Sequence, residues 1–434
     1  MAVIGLDDTD SRTEGLCTTY LATRLAERIE AAGGTVDRRL LVRLNPAVKH
    51  KTRGNAALAV HTDIPADEAF TLACEAVDAL AIATDARTSP GVVVAPGDPA
   101  DVPKEVVDHA RRAIRHKHTL ADTLDLIETA GYQHRGWAAE GSDVAGRGRI
   151  GALAAVGAWS AFEEWTYERI AYRAFELCGT PRAVDHDAVV AAADRGYPTV
   201  WDTVDRETGE AVCIPNAPGP ILYGIRGDDA GAVEQVADAI AASDRTEPVD
   251  RETTFLTNQG TDSHLAAGAI GSLREAAGYR LNGVVATPPE TRRGGHVFFE
   301  LREPETGAAV DCVAFEPTKR FREHVRRLRV GDRLTACGEH TEGTIKLEKF
   351  AVRELNRTER VTPECPDCGR RMKSAGRNQG YRCRDCGTAA PDKIEQRVDR
   401  GLSVGWYEVP PAARRHIAKP LVRGGFDGPT HPER

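Results

Sequence analysis

Near the start of the chain an apolar run, Val3-Ile4-Gly5-Leu6, ends in Asp7-Asp8-Thr9-Asp10. A packed strand holds its terminal side chains in a fixed array, and clustered carboxylates repel one another unless a cation sits among them. Hard oxygen ligands beside a nucleotide phosphate are the setting Mg²⁺ prefers. Gly15 follows shortly, and the start of a helix after it offers backbone N–H groups to an anionic phosphate. Thr18, at that helix start, carries a hydroxyl able to meet a phosphoryl group. As the plainer alternative, Asp10 or Ser11 serve only in a turn and Thr18 only as a cap. Two loops suit the same charge. Lys49, Lys51, Arg53, Gly54 and Asn55 form a compact basic loop, and Gly146-Arg147-Gly148-Arg149-Ile150-Gly151 precedes an apolar segment. The latter spells G-x-G-x-x-G, but no strand precedes it and two arginines fill it, which argues against a dinucleotide fingerprint. Both loops would serve equally well as solvated connections. The catalytic candidates are Asp7, Asp8, Asp10 and Thr18; the phosphate-binding candidates are Gly15, Cys17, Thr19, Lys51, Arg53, Gly54, Asn55, Arg147 and Gly148. Walker A, kinase catalytic-loop and G-x-S-x-G sequences are missing, so ATP chemistry here needs a less common scaffold.

The most specific local pattern is Cys365-x2-Cys368-x14-Cys383-x2-Cys386. Two CxxC knuckles place four thiolates around one Zn²⁺, with no open position and hence a structural role. A redox motif normally comes as a single CxxC beside a βαβ unit. The other six cysteines are isolated, which does not look like a disulfide framework. Around the knuckles stand Arg370, Arg371, Lys373, Arg377, Arg382 and Arg384, and further upstream Lys319, Arg320, Arg322, Arg326, Arg327 and Arg329. A basic groove binds phosphates, and aromatic side chains add platforms for unstacked bases. Phe298, Phe299, Phe315, Phe321 and Tyr381 are candidates for stacking, with a place in the core as the alternative for each. Lys319, Arg320, Arg322, Phe299, Arg370, Arg371, Lys373 and Arg377 form the expected nucleic-acid-binding set.

The charge distribution agrees with a polyanionic partner. The whole chain carries −8, yet residues 316–434 hold 26 Lys and Arg against 17 Asp and Glu, a net of +9, which leaves −17 for the rest. Forty-seven arginines stand against 10 lysines, beside 65 acidic residues, a balance that suits a high-salt cytoplasm or a GC-rich genome. With no basic leader and no apolar run near the roughly 20 residues of a bilayer span, the expected location is the cytoplasm.

The 434 residues allow two to four domains. Strands at Val3–Leu6, 40–44 and 57–60 enclose a helix whose face is Leu21, Leu25 and Ile29, an α/β layer. Beyond the Gly- and Arg-rich stretch near 131–150, strands are expected at 169–173, 199–204, 211–215 and 221–225, with helices at 187–194 and 231–242, a ferredoxin-like α+β unit. Residues 278–357 show five β-rich runs with one short helix between the third and fourth, the order of an OB-fold barrel. The expected division is 1–141, 142–277, 278–357 and 358–434, a multidomain α+β chain.

The motifs together resemble a known family. Gly5-Leu6-Asp7-Asp8-Thr9-Asp10-Ser11, Gly15-Leu16-Cys17-Thr18-Thr19-Tyr20, Arg43-Leu44-Asn45-Pro46, Lys51-Thr52-Arg53-Gly54-Asn55, Val212-Cys213-Ile214-Pro215-Asn216, Leu222-Tyr223-Gly224-Ile225-Arg226-Gly227 and Arg414-Arg415-His416 are similar to those of the archaeal 2-agmatinylcytidine synthetases that act on isoleucine tRNA. Leu16 departs from the usual methionine. The resemblance implies a kinase-like catalytic domain, a ferredoxin-like domain, an OB-fold and a zinc ribbon. It also implies ATP, Mg²⁺ and Zn²⁺ as cofactors, agmatine as co-substrate, and an isoleucine tRNA with a CAU anticodon as partner. The implied reaction attaches agmatine to C2 of the wobble cytidine and changes decoding from AUG to AUA. In this family Thr18 corresponds to a threonine that interacts with ATP and can accept its phosphate. Read from the residues alone, two alternatives stand: an RNA-binding adaptor whose acidic loop ties down a structural ion, and a metal-dependent phosphoesterase, against which the lack of clustered histidines argues.

Overall fold

A computed structural model gives the fold and describes residues 1–48, 54–82, 84–138 and 145–434. Its first layer is built by β1 (Ala2–Asp7), α1 (Thr18–Ala31), β2 (Val36–Arg43), β3 (Ala56–Thr62), α2 (Ala66–Leu80), β4 (Gly91–Pro96), α3 (Lys104–Ala113), α4 (Leu120–Thr129), β5 (Gln133–Gly136) and α5 (Arg149–Ala161). The chain continues through β6 (Thr166–Tyr172), α6 (His186–Gly196), β7 (Val200–Trp201), β8 (Ile221–Gly227), α7 (Ala230–Ala241) and β9 (Arg251–Thr257). These strands form one nine-stranded sheet, in the order β5-β4-β1-β3-β2-β9-β6-β8-β7. The two halves meet where β2 pairs in parallel with β9, at Leu40↔Leu256 and Leu41↔Thr257.

Strand β1 is an almost continuous apolar run because both of its faces are covered. Ile4 and Leu6 pack with Leu21, Leu25 and Ile29 of α1, while Val3 packs with α5 on the opposite face. Helix α5 is apolar nearly all round, as a helix buried between layers must be. It lies on β1 so closely that a Cβ at Gly5 would stand 2.1 Å from the Ala152 carbonyl oxygen. Helices α6 and α7 cover β6 and β8 through Val189, Val233 and Ile240.

Two expectations change. The strand expected at 199–204 shrinks to Val200–Trp201, and none forms at 211–215. Residues 205–210 instead close on a single bridge, Asp205↔Glu210, and Cys213 exchanges backbone hydrogen bonds with Thr203 and Gly224. The segment is thereby held as a loop beside the sheet.

The next unit comprises β10 (Leu265–Ala267), β11 (Ala277–Val285), β12 (Glu290–Thr291), β13 (Val297–Arg302), β14 (Ala309–Ala314), α8 (Arg320–Arg326), β15 (Arg333–Thr341) and β16 (Thr344–Glu354). Pairings β11–β13, β13–β14, β14–β16, β16–β15 and β15–β11 close a five-stranded barrel, with α8 between its third and fourth strands. Phe299, Phe321 and Phe350 fill its core. Small strands β17 (Thr358–Val361), β18 (Lys373–Ser374), β19 (Tyr381–Arg382), β20 (Ala389–Ala390) and β21 (Ile394–Arg397) make the cysteine-bearing ribbon. The tail then returns: β22 (Gly405–Glu408) extends the barrel along β16, and β23 (Thr430–His431) joins β22.

Buried arginines and lysines tie this tail and the barrel to the first sheet. Lys349 binds Asp262 at 2.7 Å, Arg414 binds Asp202 and, at 2.9 Å, Glu408, and Arg423 binds Asp228 at 2.6 Å and Glu164 at 2.9 Å. Burial pushes the Glu408 carboxyl up to about 7 against the pull of Arg414. Among the described residues no helix is long and apolar enough to cross a membrane.

Gly5→Ala should cost about 1–3 kcal/mol in chemical denaturation, the range for overpacking a tight core contact; an unchanged midpoint would mean that α5 does not bear on β1.

Candidate active site and nucleic-acid interface

Asp7 is the last residue of β1, and the chain turns through Asp8 at φ 59°, in the left-handed region. The Asp8 N–H donates to Asp7 Oδ1 at 2.7 Å. Arg147 Nη2 donates to Asp8 Oδ2 at 3.1 Å and to the Arg87 carbonyl at 3.0 Å, while its backbone N–H donates to Ser89 Oγ at 2.9 Å. On its other side Asp7 meets the first turn of α5, whose free N–H groups favour negative charge. A Cβ at Gly151 would lie 2.0 Å from Asp7 Oδ2, so the absence of a side chain there is what admits the carboxylate. Burial, reinforced by Asp8, raises the Asp7 carboxyl well above its ordinary value, and burial raises Asp8 to about 6 against the opposing charge of Arg147.

Two cavities meet at this loop. The first, of about 270 Å³, is lined by Asp7, Asp8, Asp10, Arg147 and Gly148 at its polar end, and by Leu44, Val48, Ala113 and the segment His116–His118 elsewhere. The second, of about 390 Å³, is lined by Cys17, Thr18 and Thr19 at the N-terminus of α1. Asp10, Gly54 and Ala56 border both. Thr9 Oγ1 donates to Thr18 Oγ1 at 3.1 Å, which fixes the hydroxyl at the second cavity's wall. Asn55 is also part of the scaffold: its Nδ2 donates to the Asn45 carbonyl at 2.8 Å. Gly15 adopts φ +100° and its carbonyl accepts from Ser11, shaping the turn rather than lining either cavity. Lys49, Lys51 and Arg53 lie outside the described residues.

The floor of the second cavity is a charge cluster that spacing alone does not reveal. Glu168 on β6 stands directly across from Arg226 on β8 and accepts its Nε at 3.2 Å; its other oxygen accepts Arg43 Nη2 at 3.2 Å. Burial would raise the Glu168 carboxyl, but Arg226 and Arg43 outweigh it and hold it below its ordinary value. The opposite wall includes Ala412 and His416 from the tail. Arg43, Arg226 and His416 occur in the motifs that carry the resemblance, yet nothing in a separation of hundreds of residues assigns them one task, and Glu168 occurs in none of them.

Histidines are clustered after all. His109 and His118 pack with ring centroids 4.0 Å apart and planes tilted by 46°, and His116 and His118 line the first cavity. Burial, with the neighbouring His109, lowers His118 to about 3, so it stays neutral. The sequence argument from scattered histidines therefore does not hold, although among the described residues the four ribbon cysteines are what converges as a set of metal ligands.

On the expected nucleic-acid face, burial and internal ion pairs correct four assignments. Phe299 is 2% exposed in the barrel core and cannot stack on a base, and Phe321 is fully buried beside it. Arg320 is held by Asp205 and Glu433, and Arg322 by Glu316 and the Gly295 carbonyl, so both are engaged within the protein. Phe315 is exposed, and Phe298 lies under the Arg292 guanidinium. Lys319 is exposed beside Glu316, and Arg370 beside Asp385. Arg371, Lys373 and Arg377 are exposed and have no carboxylate partner among the described residues.

In the ribbon, Cys365–Cys386 and Cys368–Cys383 sulfurs approach to 3.2 and 3.5 Å, and all four lie within 4.8 Å of one another. Tetrahedral zinc thiolates at Zn–S of about 2.3 Å place sulfurs about 3.8 Å apart, so this set fits Zn²⁺.

Three known domains of one family match in order: the TiaS TCKD domain over residues 3–138, the TiaS FLD domain over 146–264 and the TiaS C-terminal zinc ribbon domain over 362–402. The isoleucine-tRNA 2-agmatinylcytidine synthetase TiaS of Haloquadratum walsbyi is 57% identical, over 100% of both chains. The chain belongs to the TiaS family. Solved TiaS structures superpose closely. A crystal structure of TiaS in complex with isoleucine tRNA and ATP gives a TM-score of 0.88 at 40% identity, covering 100% of this chain and 99% of that one. A complex of TiaS with isoleucine tRNA, AMPCPP and agmatine gives 0.85 at 38%, with 100% and 99% covered. In this TiaS chain the matched ribbon contains all four cysteines.

The acidic loop should destabilise the empty protein. An unfolded Asp titrates near ~3.9, whereas folded Asp8 titrates at about 6. Between these values the folded state binds more protons, so stability falls as pH rises through that window. Asp8→Asn should raise the unfolding midpoint at pH 8 relative to the parent, and the gain should vanish near pH 4; a gain that ignores pH would contradict the assignment. Replacing Cys383 and Cys386 by Ser should release Zn²⁺ and weaken RNA binding about tenfold or more, as read by filter binding; parental affinity in a zinc-free ribbon would remove the ribbon from the interface.

Proposed function

We propose that this chain is an ATP-dependent ligase that joins agmatine to C2 of the wobble cytidine in an isoleucine tRNA with a CAU anticodon, changing its decoding from AUG to AUA. What carries the reading is the meeting of two cavities at Asp10, with Thr18 in the wall of the second, in a chain that matches TiaS synthetases along its whole length. Agmatine and isoleucine tRNA are ligands of a related crystal structure, together with AMPCPP.

The chemistry requires two compartments. The C2 oxygen of cytidine is a poor leaving group, and transferring phosphoryl from ATP to it makes a good one before the amine attacks. The first cavity, with the α5 N-terminus, Arg147 and the carboxylates, suits the polyphosphate. Asp7, Asp8 and Asp10 would hold Mg²⁺, whose charge relieves the raised carboxyls and neutralises phosphate. Thr18 takes the position from which a hydroxyl reaches a phosphoryl group arriving past Asp10. The second cavity receives the unstacked cytidine, which a loop nucleotide surrenders at small cost.

We read residues 1–141 as a kinase-like catalytic unit and 142–277 as a ferredoxin-like unit, supported by the strand order β9-β6-β8-β7 with two helices on one face. Residues 278–357 are the OB-type barrel, and 358–434 the ribbon and tail, whose Arg371, Lys373 and Arg377 offer phosphate contacts together with Lys319. The cytoplasm is the compartment where such a reaction meets its tRNA.

Incubation with ATP, Mg²⁺, labelled agmatine and the CAU isoleucine tRNA at high salt should place label in the tRNA, dependent on ATP and on the wobble cytidine. tRNA bound but never labelled would reduce the chain to an adaptor. Thr18→Ala should lower labelling about a hundredfold or more while tRNA affinity changes less than about threefold; unchanged turnover would remove Thr18 from the mechanism.

A further inference from the structure

Arg226 is a half-buried cation whose charge is only partly answered. Its Nε is bound to Glu168, but Nη1 and Nη2 make no hydrogen bond among the described residues, and the side chain lines the second cavity. Glu168 cannot supply more, because its second oxygen is taken by Arg43. Arg43 is itself fastened through Nε to Gln259 at 3.0 Å. Two guanidinium groups thus share the Glu168 carboxylate, and Asp202, the other carboxylate that feels Arg226, is itself paired with Arg414. Nearby His416 adds no counter-charge: Arg43, then burial, then Arg226 depress its titration well below the ordinary histidine value. Its Nδ1 is buried without a partner.

A half-buried guanidinium fork with free terminal donors, clamped by Glu168, is preorganised for an oxyanion and costs little reorganisation when the anion forms. Of the species the reaction brings here, agmatine is a dication and cytosine is neutral, so neither answers the charge. The anions are the phosphoryl group on the cytidine C2 oxygen and the backbone phosphates beside that nucleotide. Thr18 and Asp10 border the same cavity, which brings the phosphoryl source to it.

We propose that Arg226 is a catalytic residue of the second step, its two free nitrogens binding the phosphoryl oxygens on the cytidine C2 oxygen and the phosphate that departs. The agmatine ammonium first gives one proton to solvent, and the freed lone pair forms the new bond to C2 as the C2–O bond breaks; a second proton leaves the new C2–N nitrogen afterwards. The bonding pair leaves with the phosphate, where negative charge grows against Arg226, and both protons go to solvent. Glu168 is a positioning residue, holding the fork by Nε so that Nη1 and Nη2 face the cavity. This assignment rests on the ligase reading above and names the group that carries its second half.

The test compares the full-length parent with Arg226→Ala and Arg226→Lys in the agmatine-labelling assay, alongside tRNA affinity, agmatine KM and thermal unfolding. Labelling by the parent establishes the ligase reading in the same experiment; a parent that fails to label sinks that reading and with it this one. Arg226→Ala should lose about a hundredfold or more in kcat, with tRNA affinity and agmatine KM within about threefold. Added guanidinium should restore part of that rate, an outcome a purely structural loss would not give. Arg226→Lys keeps the charge but not the fork, and should lose about tenfold at an unchanged unfolding midpoint. Full activity in either variant overturns the assignment. So does a loss confined to tRNA affinity, which would place a backbone phosphate on Arg226, or a loss in Arg226→Ala that guanidinium does not touch.

Discussion

The parallel pairing of β2 with β9 is the joint on which the catalytic arrangement depends. It involves only Leu40↔Leu256 and Leu41↔Thr257, but side chains lock it just beyond. Asn258 accepts the Arg43 N–H at 2.8 Å and donates to the Arg43 carbonyl at 3.1 Å, and His264 contacts the same carbonyl at 3.0 Å. Arg43 is therefore fixed at both its backbone and its side chain, and it reaches across the joint to Glu168. One residue couples strand pairing to cavity electrostatics. Were the two halves separate layers, Thr18 and Glu168 would belong to different bodies; here they face one cavity over one continuous floor.

The same economy of space governs the acidic end. Gly5 lets α5 lie on β1, and Gly151 admits the Asp7 carboxylate to the helix's first turn. The strand is therefore stable as packing but unfavourable as electrostatics, since burial and mutual repulsion raise Asp7 and Asp8. Hydrophobic contact on both faces of β1 supplies the stability that this crowding takes away. On the proposed reading, the loop would give up internal pairing so that its carboxylates stay available to a cation beside phosphate, because any arrangement that satisfied them internally would compete with those ligands.

How much was legible follows from the range of each interaction. The acidic loop, the helix start at Thr18 and the four cysteines are local patterns, and local patterns survive in a sequence. The five barrel strands were also readable, because each alternates against a single buried interior. The strand expected at 211–215 failed because β-rich composition cannot tell a ladder from a loop that bonds to Thr203 and Gly224 at single points. Phe299 failed as a base platform because alternation fixes that Phe298 and Phe299 face opposite ways, but not which of them faces in. Arg320 and Arg322 illustrate a further limit. A basic run reads as a phosphate surface until the fold supplies Asp205, Glu316 and Glu433 as partners. The Glu168, Arg43 and Arg226 cluster was invisible for the same reason in reverse: its members come from three strands, and only sheet order makes them neighbours.

The tail carries this logic to the largest scale. Residues 405–434 leave the ribbon, extend the barrel, and then lay Ala412 and His416 against the second cavity. Ion pairs hold that course, buried Arg414 with Asp202 beside the first sheet and half-exposed Arg415 with Glu339 of the barrel. A buried pair offers little net stability over an apolar contact, but it penalises any register in which one member loses its partner. The pairs therefore act chiefly as specificity for one docking of barrel on sheet. That docking determines the wall of the second cavity, since Ala412 and His416 stand in it. The basic arm is fastened to the acidic body by the same segment that closes the second cavity, so on the proposed function a tRNA held by the arm would be presented to a cavity whose shape the arm's own connection has set.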